Sequence, residues 1–563
     1  MIPGTICITK YPNCYTISFP YHPMLVTCVK RIPSVAKDIK KAYLSDEKAW
    51  KIEPQDESYV KIMADWAIHY GYCNRKQWRE STRNLNDYSI PEMPKLGIPH
   101  GLLLEPYDYQ KEGIAYALKY KRCIFGDQPG LGKTLQAIGT VTIAKSYPCL
   151  VICPAALKIN WQREFKKFAG KQALILDDRN KGSWQRYIET KCCDIFITNY
   201  ESLKKFFVLR VKDDTRFTMK SIEFDPRISL FRSVIIDESH KCKSTKTQQS
   251  KFVEGICKGK EYILELTGTP VVNDNTDLIQ QLKIMGRLED FGGYKFFVDR
   301  YCDGLRKSSN LKELNWRLWN TCFFRREKSK VLTQLPDKSR QYIEVDISNR
   351  REYDKAENDL IQYLKDYKNA SDDKIAKALR GEVMVRMGIL KSISARGKIK
   401  VFSEFIHDVI DGGEKLIVFA YLKDVVHELK KLFPDAVLVT GDENPSQKQM
   451  SVDRFQNEPN CKLIILNYKS GGTGLTLTAS SRVAFIEFPW TFSDCEQAED
   501  RAHRNGQKNN VNCYYYLGKD TIDRYMYDVI QTKKSIANGV TGTDDVVKEN
   551  MVDMAMNLFS GRL

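Results

Sequence analysis

Ten short aliphatic runs, in two groups of five, most constrain the fold of this chain. The first group is Arg122 to Phe125, Cys149 to Cys153, Asp194 to Thr198, Ser233 to Asp237 and Tyr262 to Thr267. The second is Lys415 to Ala420, Ala436 to Thr440, Lys462 to Leu466, Arg482 to Glu487 and Val511 to Tyr516. Each run has strand length, and stretches of helical character separate them, which is the pattern of parallel α/β domains. Most runs end at once in a polar or glycine-rich segment, where an open parallel sheet binds its ligand. The expected class is α/β: two parallel-sheet lobes with helical insertions, plus a small α+β amino-terminal domain.

Boundaries follow from composition. Residues 1–82 form the amino-terminal unit, and Pro91, Pro94, Pro99 and Pro106 mark an extended connector, taken as 83–102, better than a helix or central strand. Lobe one then covers 103–270 and lobe two 415–520. The intervening 271–414 looks mainly helical, with apolar spacings near three and four in LIQQLKIM, RGEVMVRMGILKSI and KIKVFSEFIHDVI. Those helices are expected to pack on the lobes and on each other. Residues 521–563 read as a carboxyl-terminal helical brace broken near GVTGTDD, with MVDMAMNLF as its last helix.

With 563 residues, 42% of them hydrophobic and 11% aromatic, the chain can build two or three cores. Its 88 Lys and Arg against 71 Asp and Glu leave a net charge of +17, which fits a polyanion such as nucleic acid or a solvated basic surface. The apolar runs fall far short of the roughly eighteen residues of a membrane helix. MIPGTICITK has no basic region followed by an apolar core. No membrane partner and no secretion are therefore expected. The 16 cysteines are scattered without a CxxC pair, so no zinc site is expected and reduced thiols in an intracellular protein are the default.

Four segments carry chemistry. Asp127 to Thr134 reads DQPGLGKT after a strand and before LQAIGTVTIA. Gly130 and Gly132 let backbone N–H groups approach phosphate, Lys133 can neutralise β- and γ-phosphates, and the Thr134 hydroxyl can ligate Mg2+. Asp127 stands where a literal P-loop has glycine, and a glycine-rich turn preceding Lys-Thr is the other reading. DESH, Asp237 to His240, closes a strand: Asp237 can hold magnesium and Glu238 can orient or deprotonate water, unless this is an ordinary acidic loop. LTGTP, Leu266 to Pro270, closes the next strand, where Thr267 and Thr269 can bond to His240 or Glu238, or simply form a turn. In QAEDRAHRNGQ, Gln497 to Gln507, a helical conformation would set Arg501 and Arg504 on one face. They can serve as arginine fingers, or pair with Glu499 and Asp500 on a solvated face. The two ends of the chain then make sense together, because lobe two can reach the γ-phosphate only by closing over lobe one. Gln110 in YDYQKEGI can read an adenine edge or lie on a helix surface. Gly474, in NYKSGGTGLTLTAS, suits a backbone phosphate contact or a coupling loop.

This ordered set resembles the superfamily-two helicase-like ATPases, and within them the Swi/Snf family of DNA translocases. DQPGLGKT is similar to that family's first motif, DESH to its second, LTGTP to its third, and SGGTGLTLT and QAEDRAHRNGQ to its fifth and sixth. ICPAALKINWQREF, ITNYESL, FGGYKFFVDRYCDG, FFRREKSKVLTQLPDK and FPWTFSDCEQAEDR add to the likeness, which spans roughly residues 100 to 535. VKRIPSV and the Lys-Ala-Trp-Lys segment around Trp50 resemble the recognition module of the HepA-related annealing-helicase branch, which implies that residues 1–82 are a domain that helps the motor engage branched DNA, a small β-rich domain with no nucleic-acid role being the other reading. Pro129 stands where the family usually has methionine, Gln128 replaces an acidic residue, and Arg524 follows TID where an acid is common.

The resemblance implies RecA-like lobes, ATP and Mg2+ as cofactors, and double-stranded or forked DNA as the partner of a monomeric enzyme in a bacterial host's cytoplasm or a nucleus. It implies catalysis by Lys133, Asp237, Glu238, Arg501 and Arg504. Nucleotide contacts are expected from Gln110, Asp127, Gly130, Leu131, Gly132, Lys133, Thr134 and Gly474. Thr134 and Asp237 would hold the metal, and His240, Thr267, Thr269 and Gln497 would couple the lobes. The expected activity is ATP-dependent translocation on duplex DNA that remodels or anneals forks. A strand-separating DNA or RNA helicase, a chromatin remodeller and an ATP-gated clamp without turnover are the alternatives.

Overall fold

The computed structural model describes residues 4–44, 49–81, 84–85, 87–97, 101–212, 217–268, 275–302, 309–332, 334–368, 373–468, 475–487, 492–524 and 526–527. The chain divides into two compact units. One comprises Met1–Pro91 with Val298–Asp303 and Ser308–Asn320, and the other holds the remainder.

In the first unit, β1 (Thr5–Lys10), β2 (Tyr15–Ser18), β3 (Tyr43–Leu44), β4 (Ala49–Ile52) and β5 (Arg75–Glu80) form a mixed sheet ordered β3-β4-β2-β1-β5. Ile6 and Ile8 on β1 point inward two residues apart, as one buried face of a strand requires. Helix α1 (Glu57–His69) covers that face with Val60, Met63, Ala64 and Ala67, spaced at three and four. The mid-chain pieces in this unit differ from the expectation that they pack on the lobes; Trp316 meets Tyr88 edge-on, with ring centroids 6.4 Å apart.

The second unit contains two wholly parallel sheets. In lobe one, β6 (Arg122–Phe125), β7 (Cys149–Cys153), β8 (Leu174–Ile175), β9 (Ile195–Asn199), β12 (Ser233–Asp237), β13 (Tyr262–Leu266) and β14 (Phe323–Phe324) take the order β14-β6-β13-β12-β7-β9-β8. A separate hairpin joins β10 (Val208–Val211) to β11 (Ile222–Phe224). In lobe two, β15 (Lys338–Val345), β16 (Leu416–Ala420), β17 (Val437–Val439), β18 (Leu463–Asn467), β19 (Arg482–Phe485) and β20 (Val511–Gly518) are ordered β15-β20-β19-β16-β18-β17. Central strands such as CLVIC and LIVFA are buried at every residue, because helices cover both faces of a parallel sheet. The helices that frame the site are α2 (Asp108–Tyr120), α3 (Lys133–Ile143), α4 (Lys158–Ala169), α5 (Asp373–Asp411), α6 (Pro445–Asn457) and α7 (Phe492–Glu499). Among the described residues no helix is long and apolar enough to cross a membrane.

All ten expected strands form, with ends displaced by at most two residues. The stretch expected to be mainly helical is corrected at two places, since β14 and β15 come from it and complete the edges of both sheets. β14 has only two residues, and β15 reads KSRQYIEV with alternating half-exposed positions, so neither shows an apolar run. Arg524 pairs with Glu344 on β15; an acid at position 524 would repel that carboxylate.

Lobe two is tied to the chain beyond it by a buried ion pair. Lys398 on α5 donates to Asp523 at 2.6 Å and to the Tyr516 carbonyl at 2.8 Å, and Ser394 donates to the same carboxylate at 2.7 Å. Both ions are essentially excluded from solvent. Lys398→Ala strands the carboxylate and is expected to destabilise the protein by about 3–5 kcal/mol, whereas Lys398→Met with Asp523→Leu recovers most of the loss. Urea unfolding of the two variants measures this.

Candidate nucleotide-binding site

The loop between β6 and α3 is held from behind. Gly130 and Gly132 adopt φ of +91° and +74°, left-handed values that favour glycine. A Cβ at Gly132 would come within 2.4 Å of Gln110 Nε2, and one at Gly130 within 3.1 Å of Arg504 Cβ and Lys328 Cε. Gln110 is buried, its Nε2 donating to the Leu131 carbonyl at 3.2 Å and its Oε1 accepting from Tyr107 N at 3.0 Å. Its amide thus caps α2 and braces the loop. Asp127 is fully buried, and its carboxylate takes Arg326 Nη2 at 2.6 Å and Gln136 Nε2 at 3.0 Å. Its carboxylate is therefore spent inside the protein, while its carbonyl accepts from Lys133 Nζ at 2.6 Å. Burial lowers the Lys133 pKa from its ordinary value, against the pull of Glu238, Asp127 and Asp237. Thr134 sits half-buried in the first turn of α3.

DESH ends β12, beside β7 and β13. Two side chains fix Asp237: Trp161 on α4 donates its indole N–H to Oδ2 at 2.8 Å, and the Tyr200 hydroxyl donates to the Asp237 carbonyl at 2.6 Å. Burial, reinforced by the Glu238 charge, raises the Asp237 pKa. Glu238 has φ +56° and ψ +49°, a left-handed backbone that costs a non-glycine residue of order 1 kcal/mol or more and that clusters at functional sites. Its carboxylate lies 3.3 Å from His240 Nδ1, which is 3.1 Å from Thr267 Oγ1. Burial lowers the His240 pKa, keeping the imidazole neutral near pH 7. Ser239 turns inward and donates to Gln281 Oε1 at 3.2 Å, anchoring the loop to the helix Asp277–Ile284.

Lobe two meets this set directly. The helical conformation that would have set Arg501 and Arg504 on one face does not form: α7 ends at Glu499, Arg501 lies on a turn and Arg504 on a bend. Arg501 N donates to the Ala498 carbonyl at 3.1 Å, and Ala502 N to the Glu499 carbonyl at 3.0 Å. Ion pairs flank the end of the helix: Lys338 and Arg340 on β15 hold Glu499 at 2.8 and 2.6 Å and Lys328 holds Asp500 at 2.6 Å. Glu499 and Asp500 thus pair with cations other than the two arginines. Arg501 is 5% exposed, and burial with the nearby Arg504 charge pulls its pKa down to about 10, opposed by Glu238, Asp500 and Asp237. Arg504 donates to the Leu475 carbonyl at 2.8 Å; burial lowers its pKa too, opposed by Glu164 on α4. Gln497 is half-buried on α7, with no hydrogen bond to the DESH or LTGTP residues among the described residues. Thr269 and Gly474 lie outside the described residues.

Sequence reasoning missed the strip after β14. Gly126 and Gln128 donate their N–H groups to the carbonyls of Phe324 and Arg326, so this strip runs beside the glycine loop. Arg325 donates to the Gly268 carbonyl at 3.1 Å. Lys328 takes Gln128 Oε1 on its backbone N–H at 2.8 Å and donates Nζ to the His503 carbonyl at 2.9 Å and to Asp500. It therefore links the loop of one lobe to the arginine segment of the other, and burial brings its pKa down to about 8. The available signal was the cluster Arg325, Arg326, Lys328 and Lys330 directly after an apolar pair. Tyr107 to Asn505 at 3.3 Å and Arg163 to Asp453 at 2.9 Å add contacts between the lobes.

The donor set fits a polyphosphate with a divalent cation. A glycine cradle at a helix N-terminus, Lys133 and two buried arginines lie about two carboxylates, and backbone N–H groups and buried cations together suit an anion.

One titration tests the ionic brace. Burial alone would raise the Asp500 pKa, but Lys328 and Lys338 hold it at about 2 against an ordinary 3.8. A lowered carboxyl contributes stability that is complete above the ordinary value and disappears as pH falls through about 2. Asp500→Asn is expected to lose about 2 kcal/mol in urea unfolding at neutral pH, with the gap closing between pH about 4 and 2. A gap independent of pH would remove the charge explanation.

A family model described as SNF2-related domain matches residues 109–399, and one described as Helicase conserved C-terminal domain matches 397–506. The SWI/SNF-related matrix-associated actin-dependent regulator of chromatin subfamily A-like protein 1 of Xenopus tropicalis is 29% identical over 462 residues, 79% of this chain and 46% of that protein. The DNA annealing helicase and endonuclease ZRANB3 of Homo sapiens is 29% identical over 470 residues, 78% of this chain and 40% of that protein. The chain spans less than half the length of these two relatives. A Sulfolobus solfataricus SWI2/SNF2 ATPase core in complex with dsDNA matches at 24% identity over 80% of this chain and 96% of that one, with a TM-score of 0.37.

Proposed function

From the premise that this chain belongs to the SNF2-related family, whose domain model covers residues 109–399, we infer that it is a DNA-dependent ATPase that translocates on double-stranded DNA and remodels or anneals forked or branched DNA. The observation that carries this reading is the approach of Arg504 and Lys328 to Gly130, with Arg501 facing Glu238 and Asp237.

Thr134 and Asp237 would hold Mg2+, which when bound would supply neutralisation of phosphate charge. Gly130, Leu131 and Gly132 present backbone N–H groups to the phosphates, and Lys133 adds positive charge. Glu238 orients the attacking water and accepts its proton at the carboxylate. His240, neutral and bonded to Thr267, holds Glu238 in place and carries its position to the LTGTP turn. Arg501 and Arg504 stabilise the charge spread over the transferred group, an effect worth roughly a thousandfold or more. Departure of phosphate leaves their positive charge uncompensated and favours opening of the cleft. Alternating grip of the lobes on the DNA backbone turns that cycle into steps, with phosphate contacts giving affinity independent of sequence.

Steady-state phosphate release tests the reading. Duplex DNA is expected to stimulate the wild-type protein, forked DNA at least as strongly, and duplex RNA weakly. Lys133→Ala and Glu238→Gln are each expected to lower the stimulated rate about a hundredfold or more. Equal rates in wild type and both variants at saturating duplex would leave an ATP-gated clamp. Stimulation by single strands alone would point to a strand-separating helicase.

A further inference from the structure

The end of the lobe-one sheet opposite DESH carries a pocket that the nucleotide cycle does not use. Its volume is about 760 Å³, the size of a small-molecule site, and it is lined where the chain enters β12 and β13. Phe231 and Arg232 come just before β12, and Lys260 and Glu261 just before β13. DESH and LTGTP close the other ends of these two strands, so the length of a strand, roughly 17 Å, separates the pocket from the nucleotide cleft.

One wall is apolar. The Phe224 ring of β11 lies against the helix Gln248–Cys257 at Gly255, where a Cβ would come within 2.0 Å of its Cζ, so only glycine leaves that ring its place. Pro226, Ile228 and Phe231 continue the same wall.

Lys260 sets the chemistry of the pocket. It is 6% exposed, its Nζ donates to the Ile228 carbonyl at 2.5 Å, and among the described residues no carboxylate pairs with it. An ammonium has further N–H groups to give, and burial without a counter-ion is costly. Burial accordingly lowers the Lys260 pKa from its ordinary value, opposed by the neighbouring Cys257. The acids of the pocket are already engaged. Buried Asp225 accepts from the Arg227 backbone N–H and from its Nε, both at 2.9 Å, and Glu261 holds Lys121 at 2.9 Å and Arg232 at 3.6 Å. Lys258, exposed beside Lys260, has no acid partner among the described residues. The lining is therefore left with an excess of positive charge.

We propose that this pocket is a second ligand site of lobe one, which takes a phosphate monoester with a flat apolar body: the phosphate on Lys260, Lys258 and Arg232, and the body against Phe224, Pro226 and Phe231. A doubly charged phosphate matches several cations better than one carboxylate does, and lysine binds it as a point charge. A buried ammonium gains more from such a group than an exposed one, because water does not screen the pair. Binding here needs neither ATP nor DNA.

Titration calorimetry of the full chain with phenyl phosphate, in the absence of nucleotide and DNA, tests the site. Phenyl phosphate is expected to bind about tenfold or more tightly than benzoate or phenol, and Lys260→Met to weaken it about tenfold or more. The double variant Lys258→Gln with Arg232→Gln changes only exposed positions, keeps its core, and is expected to weaken binding several-fold. Undiminished binding in both variants, equal affinity for benzoate or phenol, or no saturable binding at millimolar concentration would overturn the site. Binding that is lost in Lys133→Ala and kept in Lys260→Met would place the ligand in the nucleotide cleft and overturn it too.

Discussion

Positive charges from two sheets are buried in one cleft, and the rest of the arrangement depends on that. Lys133 belongs to lobe one, Arg501 and Arg504 to lobe two, and Lys328 to the strip between them. Burial lowers the proton affinity of all four. A cation out of water is costly until it is paired, and the carboxylates present are shared among several partners. Asp500 serves Lys328 and Lys338 together, while Asp127 is taken by Arg326. The cleft therefore favours an added anion. On the proposed function, a triphosphate meeting the glycine cradle and the lobe-two arginines together would relieve the burden of both, and nucleotide occupancy would thereby become a force between lobes.

That force needs a firm mounting. Glu238 holds a left-handed backbone at the strand end, kept there by Tyr200 on the preceding carbonyl and by Ser239 turned inward to Gln281. Trp161 orients Asp237 from α4, the same helix that presents Glu164 toward Arg504 and Arg163 toward Asp453. One helix of lobe one thus holds the Asp237 carboxylate and reaches lobe two through Arg163. Lys328 does the equivalent from the other side.

Much of this was legible in the chain. Fully buried parallel strands have no polar face, so their aliphatic runs stand out, and the loops at their carboxyl ends fall where the motifs sit. Edge strands escaped for the opposite reason: β15 alternates polar and apolar residues and β14 is too short to show a period. Gln110 and Asp127 were located in sequence, but their contacts depend on distant partners, Leu131 and Arg326, which no local pattern reveals. A helical face for Arg501 and Arg504 followed from spacing alone. The helix instead stops at Glu499, which with Asp500 pairs with cations more than 150 residues earlier, and only the folded chain brings those cations near.

The most direct measurement is a structure of the protein with duplex DNA, magnesium and ADP–aluminium fluoride, a mimic of the transferred phosphoryl group. The guanidinium groups of Arg501 or Arg504 are expected within hydrogen-bond distance of the fluoride, on the face opposite Lys133. A fluoride contacted by lobe one alone, with both arginines turned away, would contradict the account.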